Sequence, residues 1–336
     1  MSQSLSIAIV GATGNIGEAL VSLLEERDFP VKDLYLLASD ESAGKSLSFR
    51  DRQVRVRALD AFDFKAAQLV FCAASAEVTR EYLERIVAAN CSLIDLSAAL
   101  PLTQAPCLLP EAGELWLATQ RPPFLLSSPT PAAVAVALVT QALRSLLRPR
   151  RIGVTAMLSA STLGRAGVRE LARQTAELLN GRSFEPQGVD RQIAFNVLAQ
   201  IGTPDEQGHA RLEARLAAEL QQLLGDAHLP IAATCAQVPV FFGDSLAVTL
   251  ESDTPVDVAA ITACLAEAPG LELAEEGDYP TVVGDALGQD VIQVGRIRQA
   301  VADPTQLNLW IASDNVRKGA ALNAVQIAEL LIKHYL

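Results

Sequence analysis

Three glycines near the start of the chain have the spacing of a phosphate-binding turn. Gly11, Gly14 and Gly17 follow a short apolar run and open an amphipathic segment. Glycines permit a tight turn, and the first N–H groups of a helix attract a pyrophosphate. A turn without a ligand is the alternative, since the spacing is not the more specific G-x-G-x-x-G. The residues expected to bind a dinucleotide here are Gly11, Thr13, Gly14, Asn15 and Ile16.

An acidic stretch follows the second apolar run of the chain. Ser39, Asp40 and Glu41 lie where the adenosine ribose of a dinucleotide is normally read. Carboxylates accept hydrogen bonds from a ribose 2′-hydroxyl and repel a 2′-phosphate. If a cofactor binds, these charges favour NAD over NADP.

The stretch "SSPTPAAV", residues 127–134, combines two prolines with the beginning of an apolar segment. Thr130 is a residue type that caps helices, and Pro131 suits a first helical position because its missing N–H would be unpaired there. A helix is expected to begin at this point. Ser127, Ser128 and Thr130 are candidate hydroxyl nucleophiles, but no motif places a histidine near them.

The residues that most often perform nucleophilic or metal chemistry are sparse. No pair of cysteines has metal-ligand spacing, so a metal is not expected, and buried reduced thiols are the simplest interpretation. The five cysteines are Cys72, Cys91, Cys107, Cys235 and Cys264. The three histidines are interpreted as surface or structural residues: His209 on a helix, His228 in a loop and His334 in the C-terminal helix.

The elements that must position these residues change in character along the chain. Strands alternate with helices over the first part, which predicts an α/β fold with a parallel, Rossmann-type sheet. From about Arg151 the strands are longer and partly alternating, which indicates an α+β domain. We expect a dinucleotide-binding domain over 1–131, a substrate and dimerisation domain over 132–314, and a C-terminal helix over 315–336 that returns to the first domain.

Composition excludes several classes of function. The 336 residues carry a net charge of −12, which disfavours a nucleic-acid surface. The longest apolar run is far shorter than the roughly 20 residues that span a bilayer, and no signal peptide is recognised. A cytoplasmic protein without a membrane or nucleic-acid partner is expected.

Several stretches in order along nearly the whole chain resemble the aspartate-semialdehyde dehydrogenases. They include "GATGNIG", "ASDESAGK", "LIDLSAAL", "QIAFNVLAQIG", "VPVFFGDS" and "LNLWIASDNVRKGAALNAVQIAELL". Enzymes of this family reduce aspartyl phosphate with NADPH through a cysteine thioester and form dimers, so the resemblance implies a dimer. It also implies cofactor contacts at Ser161, Gly164 and Asn323, and it places Asn315 and Gly319 in a segment that keeps the family's pattern.

The nucleophile and the base of that family are replaced in this chain. Matched onto "SSPTPAAV", the catalytic cysteine of N-P-N-C falls on Pro131, which offers neither a thiol nor an N–H. The histidine of V-P-V-x-x-G-H-S falls on Asp244 in "VPVFFGDS". Losing the nucleophile alone typically costs on the order of a million-fold in turnover.

The residues that hold the substrate and the 2′-phosphate are replaced as well. The carboxylate-binding arginine corresponds to Gln237, and the phosphate-binding arginine corresponds to Pro101. The acidic and basic pair of E-E-x-K becomes Asp205 and Gly208, so the lysine is lost. The active-site glutamine corresponds to Leu158 and the 2′-phosphate arginine to Glu41.

The leading hypothesis is a catalytically degenerate relative that acts as a dimeric scaffold and binds a dinucleotide or a partner protein. The alternative is an active oxidoreductase of this type in amino-acid biosynthesis, with an altered substrate or mechanism that uses Asp244 or Asp205 as an acid or base. A regulatory subunit that associates with an active paralogue is a third possibility.

Overall fold

A computed structural model of the protein describes residues 4–112, 117 and 121–334. The chain divides into two compact units. Unit 1 comprises residues 1–130 and 320–336, and unit 2 comprises residues 131–319.

Unit 1 is built on a seven-stranded sheet in the order β3-β4-β2-β1-β5-β6-β7. Neighbouring strands are parallel except β3 and β4, which form an antiparallel hairpin. The strands are β1 (Leu5–Val10), β2 (Val31–Ala38), β3 (Ser46–Phe49), β4 (Arg52–Ala58), β5 (Leu69–Cys72), β6 (Ser92–Asp95) and β7 (Leu125–Ser127). The helices of unit 1 are α1 (Asn15–Glu26), α2 (Ala76–Ala88) and α7 (Asn323–His334).

The sheet of unit 1 buries both of its faces. Alternate side chains of β1 point to opposite sides, so Ile7 and Ile9 join one apolar cluster while Ala8 and Val10 join another. The first cluster contains apolar residues of α1 and α7, and the second contains Tyr82 and other residues of α2. Burial on both faces explains why the central strands are continuous apolar runs.

Unit 2 is built on a six-stranded mixed sheet in the order β11-β12-β13-β10-β8-β9. Its strands are β8 (Arg151–Leu158), β9 (Ile231–Gln237), β10 (Asp244–Glu251), β11 (Leu271–Leu273), β12 (Ile292–Gln299) and β13 (Gln306–Ser313). Its helices are α3 (Pro131–Ala142), α4 (Gly164–Leu179), α5 (Arg211–Leu224) and α6 (Val258–Ala266).

One face of the unit 2 sheet is apolar and buried, whereas side chains on the other face are partly exposed. Ile152, Val154 and Ala156 of β8 are buried, whereas Thr155 between them is exposed. The alternation has the period of a half-buried strand. Helix α3 is different, because all of its residues from 132 to 140 are buried, as expected of a helix that is apolar on every side.

The predicted fold class is confirmed by this architecture, including the return of the C-terminal helix to the first unit. Two details of the sequence interpretation were wrong. His209 precedes α5 in a turn and does not lie on the helix, because the chain folds back between Asp205 and His209 before α5 begins at Arg211. The C-terminal segment is also not one regular helix, since a π-helical stretch, Arg317–Leu322, precedes α7.

Candidate functional site

The glycine turn connects β1 to α1, and its backbone passes very close to a neighbouring strand. Gly11 has φ +84°, and a Cβ at this position would lie 2.7 Å from the carbonyl oxygen of Ala73. The N–H groups of Gly11 and Ala12 both bind the carbonyl oxygen of Leu37 at the end of β2. Gly11 is therefore required by backbone conformation and by space.

The beginning of α1 has the properties of an anion site. Gly14 occupies the N-cap position without any side-chain capping bond, so the first N–H groups of the helix have no partner within it. The Nδ2 atom of Asn15 is buried and has no hydrogen-bond partner. An amide donor and helical N–H groups at one turn suit a dinucleotide pyrophosphate, so the residues present fit such a group. Thr13, Gly14 and Ile16 are partly buried beside it.

The acidic residues after β2 are exposed. Ser39 precedes a short 3-10 turn that contains Asp40 and Glu41, and all three lie at the surface. The exposed Lys45 donates to the Ser42 hydroxyl at 3.3 Å. The carboxylates of Asp40 and Glu41 are thus open to a ligand hydroxyl.

Two polar side chains, Asn323 and Ser128, meet just after the carboxyl end of β7 inside unit 1. The Nδ2 atom of Asn323 donates to the Ser128 hydroxyl at 2.9 Å and to the carbonyl oxygen of Leu108 at 3.3 Å. The Oδ1 atom of Asn323 and the hydroxyl of Ser127 are buried without a partner. Asn323 was predicted as a cofactor contact, whereas Ser127 was considered only as a nucleophile.

Pro131 begins helix α3, the position that the sequence suggested. Its ring packs against the backbone of Gly319, where a Cβ would lie 2.6 Å from the Pro131 Cβ atom and 3.0 Å from its Cα atom. The place that the resemblance assigns to a thiol is therefore occupied by a tightly packed apolar ring.

Three of the positions that the resemblance matches to active-site residues lie side by side in unit 2. Leu158, the last residue of β8, pairs with Gln237 on the neighbouring strand β9. On the other side of β8 runs the antiparallel strand β10, where Ser245 pairs with Met157. Asp244, the residue before Ser245, therefore lies opposite Leu158. Paired residues on adjacent strands project from the same face of a sheet. We call Gln237, Leu158 and Asp244 the strand-end row, and all three are buried.

Asp244 is a buried carboxyl group whose pKa is raised to about 7. Burial is the main cause, and the nearby charge of Asp314 adds to it, whereas hydrogen bonds from Ser159 oppose the shift. Its Oδ1 atom accepts from the Ser159 N–H at 3.0 Å and from the Ser159 hydroxyl at 3.3 Å. Asp244 can therefore exchange a proton near neutral pH.

A chain of hydrogen bonds continues from Asp244. The Ser159 and Ser161 hydroxyls lie 2.8 Å apart, and Asn315 Nδ2 donates to Ser161 at 2.9 Å. Asn315 Oδ1 accepts from the Gly243 N–H at 2.9 Å, which fixes the orientation of the amide. Ser161 was predicted from the resemblance, whereas Ser159 was missed, although it lies only two residues before Ser161.

Gln237 is held by its own strand neighbours. Its Nε2 atom donates to the carbonyl oxygens of Leu158 at 2.8 Å and of Val238 at 3.4 Å. Its Oε1 atom is buried and has no hydrogen-bond partner. The side chain therefore offers an acceptor at the position that the resemblance assigns to an arginine.

Other predicted positions are separate from the strand-end row. Asp205 is exposed and accepts from the N–H groups of Gln207 and His209, which lowers its pKa. It caps the turn that contains Gly208 and shares no hydrogen-bond partner with Asp244 among the contacts described. Pro101 is exposed and follows a loop that is held by the buried carboxylate of Asp95. Gly164 has φ +72° at the beginning of α4, with open space around it.

Three of the five cysteines have a thiol whose pKa is raised by burial. Burial raises the pKa of Cys91 to about 11 and that of Cys235 to about 12, and it also raises the pKa of Cys72. Cys72, Cys91, Cys107 and Cys235 are buried, but Cys264 is only half-buried, contrary to the expectation that all are buried.

The remaining predictions concern histidines, metals and membranes. His209 and His228 are exposed, whereas the side chain of His334 lies outside the described residues. Within the described ranges, no group of three or more His, Cys, Asp or Glu residues is arranged to hold a metal ion. In the same ranges, every helix is too short or too polar to cross a membrane.

These two units correspond to the two domains of one family of dehydrogenases. Residues 6–118 match the semialdehyde dehydrogenase NAD binding domain, and residues 141–318 match the semialdehyde dehydrogenase dimerisation domain. The chain therefore belongs to the semialdehyde dehydrogenase family.

Relatives of this chain match it along its full length. A USG-1 protein homolog of Pseudomonas aeruginosa is 57% identical, and the match covers 100% of both chains. Aspartate-semialdehyde dehydrogenase 2 of Vibrio cholerae is 37% identical, again over 100% of both chains. A solved structure of a probable aspartate-semialdehyde dehydrogenase from Pseudomonas aeruginosa has a TM-score of 0.96 at 57% identity, covering 99% of this chain and 100% of that one.

Proposed function

We propose that this chain is a catalytically degenerate member of the semialdehyde dehydrogenase family that binds a dinucleotide and serves as a dimeric scaffold. The observation that carries the proposal is Pro131 at the first position of α3, with its ring packed on Gly319. A thioester needs a thiolate, and the pKa shifts of Cys72, Cys91 and Cys235 all disfavour one.

The replaced charges support the same conclusion. The strand-end row contains no cation, whereas a doubly anionic substrate such as aspartyl phosphate needs cationic partners. Gln237 and Leu158 cannot supply a positive charge at any pH. Asp244 adds negative charge as it ionises, which further disfavours an anionic ligand.

The glycine turn supports dinucleotide binding by unit 1. Gly11 and the uncapped start of α1 suit the pyrophosphate, and Asp40 and Glu41 favour NAD over NADP. When bound, the nicotinamide ring would supply hydride chemistry. The contribution of this chain would be to hold the nucleotide through backbone N–H groups and the amide of Asn15.

Unit 2 supports a homodimer. The face of its sheet opposite the buried helices exposes Ala232 and Thr234 on β9, Thr155 on β8 and Ala247 on β10. Small side chains on an open sheet face suit close packing against a second copy of the chain. Sedimentation of wild-type protein and of Ala247→Arg tests this: a dimer that becomes a monomer on substitution supports the proposal, and a wild-type monomer contradicts it.

A second candidate function is favoured by Asp244. A buried carboxyl group with a pKa near 7 is suited to general acid or base work, so an oxidoreductase with an altered substrate or mechanism is the alternative. Asp205 does not support it, because its carboxylate caps a turn.

One experiment separates the two candidates. Purified protein is titrated with NAD, NADH, NADP and NADPH, and aspartate semialdehyde with phosphate is then added to detect reduced cofactor. Binding without turnover, both in wild-type protein and in Pro131→Cys, supports the scaffold, because a thiol alone does not restore the lost cations. Turnover by wild-type protein that Asp244→Asn abolishes would support the alternative. Absence of any binding would overturn the dinucleotide proposal.

A further inference from the structure

The orientation of the Gln237 amide is determined by its surroundings. Two carbonyl oxygens, of Leu158 and Val238, lie on one side of the amide and require its NH2 group there. The backbone of Gln237 is also fully used, since its N–H and C=O both pair with Leu198 at 2.8 and 2.9 Å. The Oε1 atom is therefore fixed as the acceptor of this amide, opposite its NH2 group.

That acceptor has no partner although the residue is only 2% exposed. A buried polar atom without a hydrogen bond destabilises the folded state, so such atoms are usually retained for a reason. Nothing in the sheet requires this one, because the Leu158 carbonyl oxygen already accepts from the Val238 N–H at 2.9 Å. The unpartnered Oε1 atom points to a hydrogen-bond donor that is supplied by a bound molecule.

A second acceptor lies at the other end of the strand-end row. Ser159 occupies the Oδ1 atom of Asp244 and leaves Oδ2 without a described hydrogen bond. Neighbouring strands are about 4.8 Å apart, so the Cα atoms of Gln237 and Asp244 are separated by roughly 10 Å. The Leu158 side chain lies between them. The row thus presents an acceptor, an apolar patch and an acceptor, in that order.

We propose that the strand-end row is a binding site for a small ligand with hydrogen-bond-donating nitrogen at its ends, an amide or ammonium group, and an apolar middle. The proposal rests on the proposed function in one respect, that the strand-end row no longer binds the family's anionic substrate. Gln237 reverses the polarity of the position, because an arginine donates to a carboxylate whereas the Oε1 atom accepts from nitrogen.

Matched four-carbon probes test the proposal on the full-length protein without a dinucleotide. Succinamide, 1,4-diaminobutane and succinate have the same chain length and differ only in their end groups. Isothermal titration at pH 7.5 is expected to detect succinamide or 1,4-diaminobutane and to find succinate at least tenfold weaker. Failure of both nitrogen probes to bind, or equal binding of succinate, would overturn the proposal.

Variants locate the site. Gln237→Met keeps the side-chain length without the acceptor and is expected to weaken the nitrogen probe at least tenfold, while Gln293→Met, a buried glutamine of β12, leaves binding unchanged. Gln237→Arg is expected to shift preference toward succinate. Thermal unfolding first establishes that each variant is folded. The substitution Asp244→Asn tests the other end of the strand-end row. Unchanged affinity in folded Gln237→Met would overturn the assignment.

The result of the nitrogen-probe titrations is independent of the result of the dinucleotide titration. A failure here leaves NADH binding to unit 1 intact, whereas a failure of dinucleotide binding leaves the nitrogen-probe result standing. A crystal structure of the free protein that shows only a buried water bonded to Oε1, with no probe displacing it, would also contradict the proposal.

Discussion

Gly319 lies directly against Pro131, so close that a Cβ on the glycine would be 2.6 Å from the proline Cβ atom. Two rigid parts of the chain meet there: a proline ring at the start of α3 and a π-helical segment before α7. π-helical turns are frequent at functional sites. This contact lies at the position that the resemblance assigns to the catalytic cysteine.

The contact predicts a strong effect of Gly319→Ala. The added methyl group must displace the ring or the backbone, so the free energy of unfolding should fall by about 1–3 kcal/mol. Chemical denaturation measures this. Gly153→Ala is the control, because its nearest neighbour would be at 3.6 Å, and it should change stability little. Equal stability of Gly319→Ala and wild-type protein would show that the contact is not tight in solution.

The buried carboxyl of Asp244 predicts a pH-dependent stability. Its pKa is raised from about 4 in the unfolded chain to about 7 in the folded protein, so the folded state binds the extra proton between these values. Stability from this group is complete below about pH 4 and is lost as the pH rises toward 7, by on the order of 4 kcal/mol. The nearby ionisable groups are Asp314 and Cys235.

Asp244→Asn removes this dependence. The variant stays neutral at every pH, and its amide oxygen can still accept from Ser159. It should resemble wild-type protein below about pH 4 and become progressively more stable than wild type as the pH rises, by on the order of 4 kcal/mol at pH 8, as measured by denaturant unfolding. A wild-type protein whose stability is flat between pH 5 and 8, or a variant that is destabilised at pH 8, would contradict the assignment.

Glu170 predicts the opposite pH behaviour. It is buried, and the Arg173 guanidinium at 2.8 and 2.7 Å is the main reason that its pKa falls to about 2. Its contribution to stability is therefore present above the ordinary pKa of a glutamate and is lost as the pH falls toward 2. It also accepts from the Gln174 side chain and from the Gln187 N–H.

Glu170→Gln should lower the free energy of unfolding by about 1–3 kcal/mol at pH 7, because charge-assisted bonds are lost. Since Gln174 holds the N–H groups of Ile193 and Ala194, amide hydrogens of this segment should also exchange faster. Glu177→Gln is the control, because its pair with Arg182 is long at 3.9 Å and partly exposed. Similar effects of both substitutions would argue against a special role for Glu170.

The exposed acidic residues after β2 predict cofactor preference. Glu41→Arg replaces a charge that repels a 2′-phosphate with one that binds it, so affinity for NADPH relative to NADH should rise about tenfold or more. Fluorescence titration of the two reduced nucleotides measures this ratio. Glu77→Arg, also acidic in the first turn of a helix but on α2, is the control. An unchanged ratio would show that Glu41 does not read the ribose.

Sequence alone determined the family, the fold class and the local structure of the glycine turn. These depend on short-range patterns: apolar runs of strand length, glycines at fixed spacing and a proline that suits the start of a helix. The prediction that Pro131 replaces a cysteine and that Asp244 replaces a histidine also came from matching motifs. The antiparallel hairpin of β3 and β4 was not identified, because its strands are polar and largely exposed.

Only the tertiary structure decided how the replaced residues relate to one another. Leu158, Gln237 and Asp244 are up to 86 positions apart in the chain, and strand register brings them into one row. Asp205 and Asp244 could not be distinguished from sequence, yet one caps an exposed turn and the other is buried with a raised pKa. The burial and the hydrogen-bond partners of these side chains depend on packing between segments that are distant in the chain. The local sequence pattern around each residue therefore does not reveal them.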